Sequence, residues 1–155
     1  IKHLMKVYVA SSWRNERQPE VVRAIRAAGH QVYDFRNPNE EIVEPDQGFH
    51  WSDIDPEWQT WSPSQFTNAL DHPLALGGYD RDYAALESAD AVVLVMPCGR
   101  SSHLELGFGV GMGKTSIILL SDGEPELMYK MVPNLVTSIE EVIIALDNCS
   151  KAVEQ

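Results

Sequence analysis

The chain has 155 residues, of which 44% are hydrophobic, 23% are charged and two are cysteines. This length and composition are typical of a single globular domain, and two cysteines without metal-ligand spacing fit a reducing cytosol. The net charge of -11 opposes binding to a polymeric nucleic acid, because such binding needs cationic side chains that displace counterions. Apolar runs are too short for a membrane span and no cleavable signal is visible. We therefore expect a cytoplasmic protein that binds neither membranes nor polymeric nucleic acids.

The first half of the chain predicts a strand, a helix, a second strand and an irregular segment. Residues 5–10 are short and β-rich, residues 19–28 carry apolar side chains at helical spacing, and residues 31–35 form another short strand. The segment at about 37–78 has no clean period and contains three of the four tryptophans. We interpret it as a Trp-rich insertion within a single domain, 1–155.

The second half of the chain alternates predicted helices with apolar strands. The helices are expected at 79–89, 102–112 and 138–146, the last capped by Ser138, and the strands at 91–96, 115–120 and 135–136. Strands that are apolar throughout are buried on both faces, which favours a parallel sheet with helices on either side. We predict an α/β fold, a single flavodoxin/Rossmann-like domain with a parallel sheet of about five strands.

In such sheets small ligands bind beyond the carboxyl ends of the strands. Segments at 11–17, after 36 and at 98–105 leave predicted strands at this edge. Within the last of them, Ser102 and Glu105 fit the S-x-x-E capping box, in which the glutamate satisfies a backbone donor at a helix start. Glu105 can therefore be a helix cap or a catalytic carboxylate, and the residues alone leave both interpretations open.

Cys98 and the polar residues of the insertion have ordinary structural interpretations. Arg100 would favour a thiolate at Cys98, but no base is paired with this cysteine, so a packed side chain is the better interpretation. His50, Asp53 and Asp55 match no spaced set of metal ligands. We expect no metal and no cofactor.

Four alternating glycines follow Glu105, at positions 107, 109, 111 and 113. A P-loop would need glycine where Phe108 stands, and the alternation does not give G-x-G-x-x-G either. Each glycine within a helix costs about 0.8–1 kcal/mol relative to alanine. Bare backbone here would serve either close packing against a strand or a ligand, and we expect close packing.

Three places in the chain together resemble the nucleoside 2-deoxyribosyltransferases and their relatives that hydrolyse the N-glycosidic bond of nucleoside 5′-monophosphates. The first is VYVASSWRNER at 7–17, similar to the family's opening strand and nucleotide-binding loop. The second is Asp82, followed eight residues later by Asp90. The third is HLELG at 103–107, similar to the start of the family's catalytic helix. The resemblance spans residues 6 to about 120 and is poorest in the insertion.

The resemblance implies a two-step reaction on a small nucleoside or nucleotide, without a cofactor. Glu105 is the implied nucleophile, which forms a covalent glycosyl-enzyme that water or a second base then opens. Asp82 is the implied acid that protonates the departing base, and Tyr8 is the implied hydrogen-bond support of Glu105. The family also implies a homo-oligomer.

The implied substrate-binding residues are Ser12, Arg14, Arg17, Arg100, Ser101, Ser102, Phe49 and Trp51. The first three keep the spacing of the family's monophosphate loop. The next three combine an arginine with a helix start that could hold a 5′-phosphate, and the two aromatic rings could stack on the base. The chain departs from the family at Gly99, where the transferases carry an aspartate and the monophosphate hydrolases a serine.

Two other functions remain compatible with this sequence. A flavodoxin-like domain can bind or sense a nucleotide without turnover, with Glu105 used for recognition alone. A TIR-like domain cleaves NAD, also with a glutamate. Replacing Glu105 and testing NAD beside nucleosides would separate these functions from the first.

Overall fold

The computed structural model describes residues 4–38 and 48–153. Contacts divide these residues into two compact units. The first unit consists of the described residues up to Asp34 and from Ser88 onward, and the second of those within Phe35–Glu87. The predicted Trp-rich insertion at about 37–78 falls in the second unit, but its residues 39–47 lie outside the described residues. The second unit extends beyond the predicted insertion to residue 87.

A parallel sheet of five strands forms the centre of the first unit. Its strands are β1 (Lys6–Ala10), β2 (Gln31–Asp34), β3 (Ala91–Val95), β4 (Thr115–Leu119) and β5 (Asn134–Val136). The strand order β2-β1-β3-β4-β5 is the flavodoxin-like order, and every neighbouring pair is parallel. The predicted α/β fold is thus confirmed, with strand ends that differ from the predicted ones by a single residue.

The helices are α1 (Gln18–Ala27), α2 (Pro63–Ala69), α3 (Pro73–Ser88), α4 (Arg100–Gly111) and α5 (Ile139–Val153). Short 3-10 turns lie at Trp51–Asp53, Trp58–Thr60 and Leu127–Met131. The helices α2 and α3 and the first two turns belong to the second unit, apart from the last residue of α3. Along the two described stretches, no helix is both long and apolar enough to cross a membrane.

Helices cover both faces of the sheet in the first unit. On one face, Ile25 of α1 and Leu146 of α5 share an apolar core with Val9 and Val93 of the strands. Successive residues of a strand point to opposite faces. The alternate strand residues therefore face α4, which contacts β1, β3 and β4.

Helix α4 lies unusually close to the sheet at Gly109. A Cβ atom there would lie 2.7 Å from Cγ2 of Val92, which is closer than real Cβ contacts allow. At Gly107 and Gly111 an added Cβ would meet no described atom within 4 Å, and Gly113 ends the helix with a φ of +73°. Close packing, expected for all these glycines, is therefore confirmed only for Gly109, whereas Gly113 supplies the left-handed residue that follows a helix.

Several helix boundaries differ from the predicted ones. Helix α4 begins at Arg100 instead of residue 102, and α3 begins at Pro73, a residue type favoured in a first helical turn. Helix α5 continues to Val153, because Cys149 still packs against the core and Ser150 is fully buried.

The predicted cap of α5 is confirmed with one change. Ser138 Oγ accepts a hydrogen bond from the backbone N–H of Glu141 at 3.1 Å. The Glu141 carboxylate accepts in turn from the backbone N–H of Thr137 at 3.2 Å. The returning bond therefore goes to the residue before the cap instead of the cap itself.

Two alanine substitutions in α4 test the close approach at Gly109. We expect Gly109→Ala to lower the free energy of unfolding by about 1–3 kcal/mol, because the new methyl group must displace Val92 or the helix. We expect the matched control Gly107→Ala to raise it by up to about 1 kcal/mol, since alanine is the better helix former. Denaturant unfolding measures both values, and effects of the same sign would contradict the packing described.

Candidate active site

The structure joins two of the predicted catalytic residues directly. The hydroxyl of Tyr8 donates a hydrogen bond to the carboxylate of Glu105. Tyr8 lies in the middle of β1 and is 1% exposed, and its ring stacks on Tyr33 of β2 with centroids 5.4 Å apart. Glu105 lies on α4 and is half-buried. The carboxylate is therefore held by a side chain whose own position is fixed by two strands.

Glu105 does not cap its helix. The N-cap of α4 is Gly99, which has no side chain to cap the helix start. Glu105 lies in the second turn, whereas the field of the helix dipole acts mainly in the first turn. The predicted capping box is wrong because the chain turns into the helix earlier than expected, which places Ser102 inside the first turn with only 3% exposure. Glu105 instead accepts the hydrogen bond from Tyr8.

Asn15 connects two loops that leave the carboxyl ends of β1 and β3. Its side-chain Nδ2 donates to the carbonyls of Val95 at 3.1 Å and Pro97 at 3.2 Å. Its Oδ1 accepts from the backbone N–H of Arg17 at 2.9 Å, and Asn15 is 6% exposed. Sequence reasoning missed this residue, although its position between the predicted Arg14 and Arg17 was a signal. Because an amide both donates and accepts, one side chain fixes both loops.

The predicted phosphate residues lie on these same two loops. Ser12 Oγ accepts from the backbone N–H of Arg14 at 3.2 Å, which folds the first loop locally. Arg14 is exposed, and Arg17 is the half-buried N-cap residue of α1.

Arg100 and Ser101 are exposed at the start of α4. Ser102 shares this first turn, but its side chain points inward and hydrogen-bonds the thiol of Cys98.

Cys98 behaves as a packed cysteine. Burial raises the pKa of its thiol, the hydrogen bond with Ser102 lowers it by less, and the negative charge of Glu105 makes the smallest contribution, which raises it. The thiolate that Arg100 was considered to favour is therefore disfavoured. This agrees with the structural interpretation and opposes a nucleophilic role.

His103 and Tyr129 link the start of α4 to the 3-10 turn after β4. Nδ1 of His103 lies 2.8 Å from the carbonyl oxygen of Gly99, which can only accept, so Nδ1 carries the proton. Nε2 then accepts from the hydroxyl of Tyr129 at 2.7 Å. Burial raises the pKa of Tyr129, so this hydroxyl keeps its proton. No sequence signal pointed to this pair, because its members are joined only by the fold.

Asp82, Phe49 and Trp51 belong to the second unit. Asp82 is half-buried on α3. Phe49 and Trp51 meet edge to face with centroids 4.8 Å apart, and a Cβ added at Gly78 would lie 2.9 Å from Cβ of Phe49. The two predicted stacking residues therefore take part in the aromatic packing of this unit.

The acids of the insertion serve its local structure. Asp53 accepts from the backbone N–H of His50 at 3.3 Å. Asp55 accepts from the backbone N–H of Glu57 at 2.9 Å and from the indole of Trp61 at 2.8 Å, and both bonds lower its pKa. Within residues 4–38 and 48–153, no group of three or more His, Cys, Asp or Glu side chains could hold a metal ion.

Asp90 and Lys114 lie at the opposite, amino-terminal edge of the sheet. The carboxylate of Asp90 accepts from the backbone N–H of Lys6 at 2.8 Å, and Nζ of Lys114 donates to the carbonyl of Ala89 at 2.5 Å. Both contacts connect residues at or next to the beginnings of strands. Lys114 therefore stabilises this edge of the sheet, in agreement with the rejection of a P-loop.

Comparison with known proteins finds a similar fold among solved structures. No family model and no curated protein matches the chain. Among solved structures, a 2-deoxyribosyltransferase from the psychrotolerant bacterium Bacillus psychrosaccharolyticus matches 88% of this chain and 89% of its own, with a TM-score of 0.54 and 22% identity. That enzyme is described as a suitable biocatalyst for the synthesis of antiviral and antitumoral nucleosides. At this identity the likeness establishes a shared fold.

Alkylation measures the state of Cys98. Because burial and Glu105 raise the pKa of this thiol, we expect it to react with iodoacetamide more slowly than free cysteine near pH 7.5. The rate should rise with pH over a higher range than for free cysteine, since only the thiolate reacts. Mass spectrometry of a Cys149→Ser variant isolates the signal of Cys98. A rate of reaction about as high as that of an activated thiolate, and unchanged between pH 6 and pH 8, would contradict the assignment.

Proposed function

We propose that this chain cleaves the N-glycosidic bond of a (deoxy)nucleoside or a nucleoside 5′-monophosphate, as a relative of the nucleoside 2-deoxyribosyltransferases. The hydrogen bond from Tyr8 to Glu105 carries this proposal. It orients a carboxylate on α4, the helix that follows the carboxyl end of β3, and flavodoxin-like sheets bind small ligands at this edge. The fold shared with a 2-deoxyribosyltransferase supports the same substrate class.

Glu105 acts as the nucleophile in this proposal. One carboxylate oxygen attacks the anomeric carbon, and the electron pair of the breaking C–N bond moves to the departing base. Tyr8 fixes the rotamer of the carboxylate through its buried hydroxyl, so less orientation has to be achieved on the way to the transition state. Water, or the nitrogen of a second base, then attacks the glycosyl ester and releases Glu105.

Asp82 acts as the acid that protonates the departing base. This role comes from the resemblance, in which the aspartate eight residues before Asp90 performs it. Asp82 is half-buried on α3, and partial burial favours the protonated form that such an acid needs. Phe49 or Trp51, at the aromatic cluster of the same unit, supplies the proposed stacking surface for the base.

The first turn of α4 and the loop after β1 hold the proposed 5′-phosphate. The opening N–H groups of a helix have no partner within the helix, and Gly99 supplies no side chain to cap them. An aspartate at this position would add a negative charge beside the phosphate, whereas Gly99 adds none. Arg100, Arg14 and Arg17 are the cations proposed to complete the site. This arrangement favours a monophosphate substrate over an uncharged nucleoside.

A TIR-like NAD-cleaving activity is the second candidate. The strand order observed here is the flavodoxin-like order, which such domains share, and the chemistry also requires one glutamate. NAD therefore belongs among the substrates tested. Binding without turnover is the third outcome that the same assay can detect.

Release of free base tests the proposed activity. We expect the chain to release base from at least one (deoxy)nucleoside or 5′-monophosphate, detected by liquid chromatography. Glu105→Gln should lose on the order of 10³-fold or more in kcat, because a covalent route loses its nucleophile. The matched control Glu140→Gln, an exposed acid on α5, should keep full activity. No release from any substrate would sink the enzymatic proposal, and full activity of Glu105→Gln would exclude the covalent route.

Tyr8→Phe tests the support of the nucleophile. We expect a loss of roughly 10- to 100-fold in kcat with little change in KM, because a hydrogen bond to a charged group contributes about 1.5–3 kcal/mol. Steady-state kinetics separates the two constants. The control Tyr79→Phe changes an exposed tyrosine of α3 and should have no effect. A change confined to KM would show that Tyr8 serves binding and not the orientation of Glu105.

A further inference from the structure

Two sulfur atoms and an imidazole nitrogen lie together where β3 leads into α4. Sγ of Cys98 is 3.6 Å from Sδ of Met96 and 3.9 Å from Nδ1 of His103. The hydroxyl of Tyr129 lies 3.5 Å from the same methionine sulfur and 2.7 Å from Nε2 of His103. We propose that Met96, Cys98 and His103, here termed the sulfur cluster, form a binding site for one soft monovalent metal ion of the Cu(I) class.

The separations in the sulfur cluster suit shared coordination better than hydrogen bonding. A thiol is a weak donor, and contacts of 3.6 Å and 3.9 Å from Sγ of Cys98 give it little stabilisation. Ligand atoms bound at about 2.0–2.3 Å to one ion, with trigonal or tetrahedral angles, lie roughly 3.5–4.0 Å from each other. Both measured separations fall in this range. To bind an ion, Nδ1 of His103 must also turn away from the carbonyl oxygen of Gly99, which lies 2.8 Å from it.

The ligand types select the class of ion. Thiolate and thioether sulfur are soft ligands that favour Cu(I), and imidazole is accepted by copper as well. A thioether is a poor ligand for hard cations such as Mg²⁺, which need oxygen. Only two members of the sulfur cluster are of the His, Cys, Asp or Glu type, so the thioether of Met96 would have to supply the third ligand.

Binding of the ion is balanced by the release of one proton. Cys98 gives its thiol proton to solvent and binds as the thiolate. The proton of His103 moves from Nδ1 to Nε2, so that Nδ1 becomes a ligand and Nε2 donates to the oxygen of Tyr129. A ligating histidine usually donates its other N–H in this way. The carbonyl of Gly99 then loses the hydrogen bond from Nδ1 of His103, but it keeps the one from the backbone N–H of His103 at 3.4 Å.

Anaerobic titration with Cu(I) against the chromophoric chelator bicinchoninate tests the site. In a Cys149→Ser background, where Cys98 is the sole cysteine, we expect one Cu(I) per chain and one proton released. Cys98→Ser should weaken binding at least 100-fold, and Met96→Leu and His103→Asn at least 10-fold each. The control Met112→Leu changes an exposed methionine and should leave binding unchanged.

The variants also define the result that overturns the proposal. Unchanged affinity in both Met96→Leu and His103→Asn would mean that a single thiol binds the ion and that no cluster site exists. X-ray absorption of the Cu(I)-loaded Cys149→Ser protein gives a second test that does not depend on folding of the other variants. Two sulfur neighbours and one nitrogen neighbour are expected, and a single sulfur neighbour would overturn the proposal.

Discussion

The absence of a side chain at Gly109 determines how closely α4 approaches the sheet. The helix crosses β3 at Val92, and Val92 is paired in register with Tyr8 of β1. Glu105 lies one turn before Gly109 on the same helix, so it faces the strand that carries Tyr8. A larger residue at position 109 would lift the helix and separate the carboxylate from the phenol. A packing constraint in the core thus fixes a polar contact at the candidate site.

The surroundings of this contact are held by polar side chains at the carboxyl ends of the strands. Asn15 fixes the loop after β1 to the end of β3, and His103 fixes the start of α4 to the turn that contains Tyr129. These bonds lie between segments distant in sequence. They keep loops, which are usually the more mobile parts of a fold, in one arrangement around Glu105. Such an arrangement suits a site whose chemistry depends on orientation.

The sheet could be predicted well because β3 is apolar throughout and β1 and β4 are largely apolar, a pattern that does not depend on the loops. The start of α4 was misplaced because Ser102 and Glu105 match a capping box by spacing, while the actual cap is a glycine without a pattern of its own. Helix α2 was missed although Ser62 and Gln65 form a true capping box, with bonds of 2.8 Å and 3.2 Å. Its short length gave no helical period to support that signal.

The site itself was predictable only in part. The roles of Tyr8 and Glu105 were implied by a resemblance, and their hydrogen bond agrees with it. The sequence did not predict the contacts of Asn15, His103 and Tyr129. Each of these residues contacts a residue that the fold brings near, and the spacing of residues along the chain does not indicate such contacts.

The glycine N-cap of α4 would make the stability of the protein depend on the phosphate proposed to bind there. Gly99 has no side chain to cap the first amide groups of the helix. A ligand bound to these groups in the native state alone would add its binding free energy to the stability, so the melting temperature would rise with ligand concentration.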